Sequence, residues 1–149
     1  MSLPNPVLHR LGFADDDRVA IIHTDDIGMC LPSVQAFSEL WEFGLISSGA
    51  VMVPCPWALK ALAFGREHPQ ADLGVHITLT SEWKTYRWGP ISTRDPQSGM
   101  IDEEGYFYHL AQPAQEHGDP AYVEREIEAQ VERALSLGLH PTHMDTHMG

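Results

Sequence analysis

The chain has 149 residues and a mass of 16.6 kDa, with 43% hydrophobic and 20% charged residues. Those proportions fit one globular domain and exclude a largely disordered chain. Nine Lys and Arg face 21 Asp and Glu, a net charge of −12, so nucleic acid and anionic membrane surfaces are not expected partners.

Residues 1–17, with the acidic run Asp15-Asp16-Asp17, read as a surface lead-in with no signal-peptide pattern. Arg18-Val-Ala-Ile-Ile-His23 predicts a first strand, ending in Thr-Asp-Asp. Pro32 suits the first turn of a helix. Val34, Phe37, Leu40 and Trp41 recur at helical spacing, and Gly44 follows as the cap. Gly49–Val53 predicts the second strand. Trp57 to His68 predicts a helix with Ala58, Leu59, Leu62 and Ala63 on its apolar side, and Leu73–Leu79 predicts the third strand. Thr80 to Asp119 shows no sustained period, which in a compact domain marks a functional loop. Tyr122 to Leu137 predicts the clearest helix, with a stripe of Val123, Ile127, Val131, Ala134 and Leu135 closed by Gly138. Pro141–His147 predicts a fourth strand. Strands alternating with helices imply an α/β fold with a parallel sheet or barrel. No apolar run approaches the roughly 18 residues of a membrane span. Cys30 and Cys55 are too few for a disulfide framework, so a cytoplasmic location is expected.

Sites in parallel α/β folds gather at the C-terminal ends of strands. Three polar clusters fall there: Thr24-Asp25-Asp26-Ile27-Gly28, His76 with Thr78 and Thr80, and His143-Met-Asp145-Thr-His147. Residues two apart on a strand share a face, so His143, Asp145 and His147 should point one way. Adjacent carboxylates on an extended chain cannot, which leaves Asp25 and Asp26 free for two different jobs, unless they form only a solvated turn. His76 by itself reads as a core histidine. The conjunction of the three clusters points to a metal site. His23, His68, His109, His117 and His140 carry no assigned role, and each cysteine reads as a free thiol.

These residues resemble the YdjC-like carbohydrate deacetylase family (ChbG/HpnK-like). Its Asp-Asp-Phe-Gly motif is matched by Asp25-Asp26-Ile27-Gly28. Its Gly-x-His-x-x-Leu-Thr motif is matched by Gly74 to Thr80, and its Pro-Thr-His-x-Asp-x-His-x-His motif by Pro141 to His147, with Gly149 where the last His often stands. The resemblance implies the N-terminal part of a deformed (β/α) TIM-like barrel of the polysaccharide-deacetylase type. It implies a metal-dependent hydrolase that removes N-acetyl groups from amino sugars or oligosaccharides. Asp26, His76 and His147 would hold a divalent ion, Zn or Mg. Asp25 would be the general base that takes the proton of the attacking water. His143, Asp145, Thr80, Trp83 and Trp88 would orient ligands or meet the substrate, with Asp145 holding a neighbouring group. Trp83, Tyr86 and Trp88 offer two readings, a sugar-stacking wall or a hydrophobic plug.

Two alternatives stand beside this one. Two histidines and a carboxylate also describe a non-haem Fe(II) oxygenase, whose frame is expected to be all-β. The other is an inactive fragment that binds metal or sugar. Family members run to roughly 250 residues, like other barrels. Residues 1–149 are therefore expected to be an incomplete domain ending within the third motif. Its open edge would require a longer chain or a partner protomer, as in a homodimer, and the loop from Thr80 to Asp119 would lack a packed wall.

Overall fold

The computed structural model describes residues 6–149; the first five residues of the expected lead-in lie outside them. The rest of that lead-in carries a short helix, α1 (Pro6–Arg10), with no buried residue. Four strands follow in one parallel sheet: β1 (His23–Ile27), β2 (Ser48–Val51), β3 (Leu73–Ile77) and β4 (Met144–Thr146), ordered as in the sequence. The helices are α2 (Leu31–Glu42), α3 (Ala58–Glu67), α4 (Ala111–His117) and α5 (Pro120–Ser136).

The first strand starts five residues later than the expected one. The apolar run from Val19 to Ile22 does not extend it, and Val19, Ile21 and Ile22 are exposed. Ile22 alone meets the start of β2: its carbonyl accepts from the backbone of Ser47 and Ser48, and its N–H donates to Ser47 Oγ. An apolar run reports a wish for burial, whereas a strand needs a paired neighbour, and β2 begins only at Ser48. Asp25 and Asp26 consequently lie inside β1 rather than after it.

Helix α2 matches its expected span and ends as its glycine dictates. Gly44 takes φ 79°. Its N–H donates to the Trp41 carbonyl, and that of Leu45 donates to Leu40, the paired bonds of a Schellman cap. In α3 the buried side is Ala58, Ala61, Leu62 and Gly65, while Leu59 is exposed, so the apolar stripe is rotated from the expected one. Gly65 is buried because a Cβ there would meet Leu139 and Leu73, which brings α3 close to β3.

On β3, Leu73, Val75 and Ile77 enter the main core with Val34, Phe37 and Leu62. The strand period then places Gly74 and His76 on the opposite face. Helix α5 buries two polar side chains completely, Glu126 and Gln130, whereas Leu135 of the expected stripe is exposed. Gln130 accepts from Thr78 N–H at 3.0 Å and donates to Thr78 C=O at 2.8 Å, as a neighbouring strand would. Glu126 accepts from the backbone of Ile91 and Ser92 and from the Gln130 amide. The two Gln130 bonds satisfy buried backbone groups of Thr78, just past the end of β3.

The segment from Thr80 to Asp119 has a packed wall, contrary to expectation. Met52, Cys55, Trp88, Met100, Ile101 and Phe107 form a second core beneath it. Ile101 and Phe107 make an antiparallel bridge, and Arg87 ties the segment through Asp102 at 2.7 Å and the Phe107 carbonyl at 2.7 Å. The segment escapes a periodicity reading because its order comes from such non-local ties.

Candidate metal centre

The site begins with an irregularity in β1. Thr24 pairs with Gly49 and Ile27 with Val51, so Asp25 and Asp26 together lie opposite Ala50 in a β-bulge. Asp26 takes φ 59°, in the left-handed region that few non-glycine residues enter. A bulge re-aims side chains, and here both carboxylates turn toward His76. The expectation that adjacent carboxylates must diverge holds only for an extended chain. Gly28, at φ 91°, closes the turn; a Cβ there would lie 3.1 Å from the Ala58 backbone.

Asp26 Oδ1 lies 3.0 Å from His147 Nδ1 and 3.4 Å from His76 Nε2. This oxygen is buried and has no aligned hydrogen bond. The three donor atoms all lie within 4.8 Å of one another. Each imidazole is held from behind by a second carboxylate. Asp145 Oδ1 is 2.6 Å from His76 Nδ1, and Glu82 Oε2 is 3.0 Å from His147 Nε2. Metal-ligating histidines are oriented in this way, with one nitrogen on an acceptor and the other turned to the ion. One carboxylate and two imidazoles suit a borderline divalent ion and leave coordination positions open for water and substrate. The residues present therefore fit a metal.

The electrostatics agree. The neighbouring His147 imidazole, and then that of His76, hold the Asp26 carboxyl well below the usual carboxylate range. Burial disfavours the charged forms of His76 and His147. The Asp26 and Asp145 carboxylates outweigh it at His76, and those of Asp26 and Glu82 do so at His147, so both pKa values rise. This is a pocket of negative potential that attracts a cation.

The other expected residues fall in distinct places. The Asp25 side chain is 64% exposed and forms a further convergent set with His76 and Asp145. His143, Asp145 and His147 share the face of His76, as the strand period requires, and His143 lies furthest from Asp26's end, beside His23. Thr80 is buried, and its Oγ1 has no partner. Trp88 offers no sugar-stacking face: it is 3% exposed, donates from Nε1 to the Thr80 carbonyl at 2.7 Å, and packs edge-on against His147. Tyr86 donates from its hydroxyl to the Met29 carbonyl and packs on the same core. Trp88 and Tyr86 thus pack into the second core, whereas Trp83 is 52% exposed. A cavity of about 370 Å³, lined by Leu79, Met100, Ala114 and Val123, opens onto Thr80 and His147.

Sequence reasoning missed Glu82 and His23. Glu82 follows the His76 cluster by two residues beyond Thr80, and that proximity was its only signal. His23 was hidden because the expected strand ended on it, whereas it opens β1.

A family model described as "YdjC-like protein" matches residues 19–149. The chain is 36% identical over 143 residues to a carbohydrate deacetylase of Thermus thermophilus, covering 96% of this chain and 48% of that protein. It is 31% identical over 127 residues to a carbohydrate deacetylase of Thermoanaerobacter pseudethanolicus, covering 85% and 49%. Among solved structures it is similar to one from Enterococcus faecalis V583, provisionally described as a cellobiose-phosphate cleavage protein. The TM-score is 0.74 at 30% identity, over 85% of this chain and 47% of that one. The chain thus spans about half the length of these relatives. The likeness shows an α/β fold whose parallel sheet and surrounding helices are consistent with a deformed TIM-like barrel.

Proposed function

Because the chain belongs to the YdjC-like protein family, we propose that it carries the metal centre of a hydrolase that removes N-acetyl groups from an amino sugar or oligosaccharide. Residues 1–149 are the N-terminal, metal-holding part of that domain, with Asp26, His76 and His147 as ligands of a Zn or Mg ion. The observation that supports this most is the convergence of the three donors, with Asp145 and Glu82 behind the two imidazoles.

When bound there, a divalent ion lowers the pKa of water and stabilises negative charge on the acetyl oxygen. The protein residues do the rest. Asp25, exposed beside His76, accepts the proton from the attacking water at its carboxylate. Asp145 holds His76 Nδ1–H, so that Nε2 faces Asp26. Glu82 leaves His147 Nδ1 as the inward nitrogen. Trp88 excludes water from behind His147, and the cavity beside Thr80 receives part of the substrate. The two free cysteines and the absence of any helix long and apolar enough to cross a membrane among the described residues fit a cytoplasmic role.

Acetate release from an acetylated chitooligosaccharide, measured on the protein with and without added zinc or magnesium, tests the reading. Metal-dependent release supports it. Metal binding without release would favour a binding fragment, and the parallel α/β sheet does not supply the all-β frame expected of the oxygenase alternative.

A further inference from the structure

A second group of donors lies one strand register away from the first centre. His23, His143 and Asp145 each offer one donor atom, and these atoms all lie within 4.8 Å of one another. His23 opens β1, and His143 immediately precedes β4, so the rings reach each other across the face of the sheet, 5.2 Å between centroids. Both Nε2 atoms are buried, and neither makes an aligned hydrogen bond. Two buried, unsatisfied ring nitrogens within one small space are costly unless something binds them.

The rear of each ring is secured, as it is for metal ligands. His23 Nδ1 is 3.0 Å from Ser48 Oγ. His143 Nδ1 is 2.8 Å from Thr142 Oγ1, and that hydroxyl donates its own hydrogen to Asp72 Oδ1. Thr142 can then only accept from His143, which places the proton on Nδ1 and leaves the Nε2 lone pair free. Asp145 serves both groups. Its Oδ1 holds His76, while Oδ2 lies 2.9 Å from His23 Nε2. Asp25 Oδ1, 3.4 Å from the same nitrogen, adds an oxygen on the solvent side. Gly74 makes room: a Cβ there would lie 2.5 Å from the His143 ring.

We propose that His23, His143 and Asp145 form a second divalent-cation site, linked to the first through the two oxygens of Asp145. Two imidazoles and one carboxylate select a borderline ion such as zinc over magnesium, which prefers an all-oxygen shell. The two sites carry like charges across one carboxylate, so the second ion binds more weakly than the first. The site stands apart from the hydrolytic reading, because it requires no substrate and none of its three ligands is a ligand of the first centre.

Zinc titration of the chain after chelation and dialysis tests this, with bound zinc counted at saturation. Two ions per chain are expected. His143→Gln and His23→Gln should each leave one ion, bound within about threefold of the wild-type tight step. Thr142→Val should keep two but weaken the second by about tenfold, since it removes only the support behind His143. Asp26→Asn should remove the other ion instead. A single ion in the wild type would overturn the second site, as would two ions retained at wild-type affinity in both histidine variants. If Asp26→Asn kept both ions while the histidine variants lost one, the first centre would be misassigned and the second upheld. Circular dichroism identifies any variant that fails to fold; the remaining variants then decide.

Discussion

Asp145 stands directly across from His76 in the β3–β4 register, and its Oδ1 lies 2.6 Å from His76 Nδ1. Register makes this contact, since two residues paired across parallel strands project to the same face. Its effect is chemical: with Nδ1 committed to Asp145, His76 presents Nε2 to Asp26. Asp145→Ala should weaken zinc binding at the first centre about 10–100-fold while leaving the fold intact. A calorimetric titration in the His143→Gln background isolates that centre, and an unchanged affinity there would remove Asp145's orienting role.

Asp25 is expected to move a proton rather than hold the ion. Asp25→Asn should retain metal and lower acetate release about 10²–10⁴-fold, the usual worth of a positioned base. Loss of the metal on that substitution would make Asp25 a ligand, as its convergence with His76 and Asp145 also permits.

The buried pair on α5 is expected to carry stability. Gln130→Ala would strip both partners from the Thr78 backbone and one from Glu126. Two unpaired buried backbone groups cost about 2–6 kcal/mol, readable as a lower midpoint in urea. A loss below about 1 kcal/mol would mean that water takes over both bonds.

The two thiols should differ in reactivity. Cys55 is buried, and burial, with the Asp26 and Glu82 charges adding to it, pushes its thiol pKa far up. Cys30 is half-buried at the start of α2. A disulfide reagent on the native protein should label one cysteine promptly and the second only on unfolding. Equal rates for both would mean that the second core opens readily.

Acid should loosen the ordered segment through Asp102. Burial raises its pKa, but the Arg87 guanidinium outweighs this, and the net value is lowered. A depressed folded pKa contributes stability that is present above the unfolded value, about 3.9, and is lost as pH falls through the folded value. The melting difference between wild type and Asp102→Asn should therefore be largest near neutrality and shrink below about pH 4. A difference independent of pH would mean that the ion pair contributes nothing.

Local chemistry made several features legible in the sequence. The alternation of strand and helix, Pro32 and Gly44 at the ends of α2, and the common face of His143, Asp145 and His147 all follow from periods and caps acting over a few residues. The tertiary structure alone decided the rest. Val19–Ile22 reads as a strand, yet it lies outside one because strand pairing is set by where β2 begins. The bulge at Asp25–Asp26, which brings both carboxylates to His76, arises from a mismatch of lengths between β1 and β2. Glu126 and Gln130 interrupt an apolar stripe, because the bonds they satisfy belong to residues 52 and 34 or more positions away. Glu82 and His23 join the histidine clusters only when four strands stand side by side. Contacts between distant segments have no period for a sequence to display, so residue types pointed to a candidate metal centre and the register decided which donors converge.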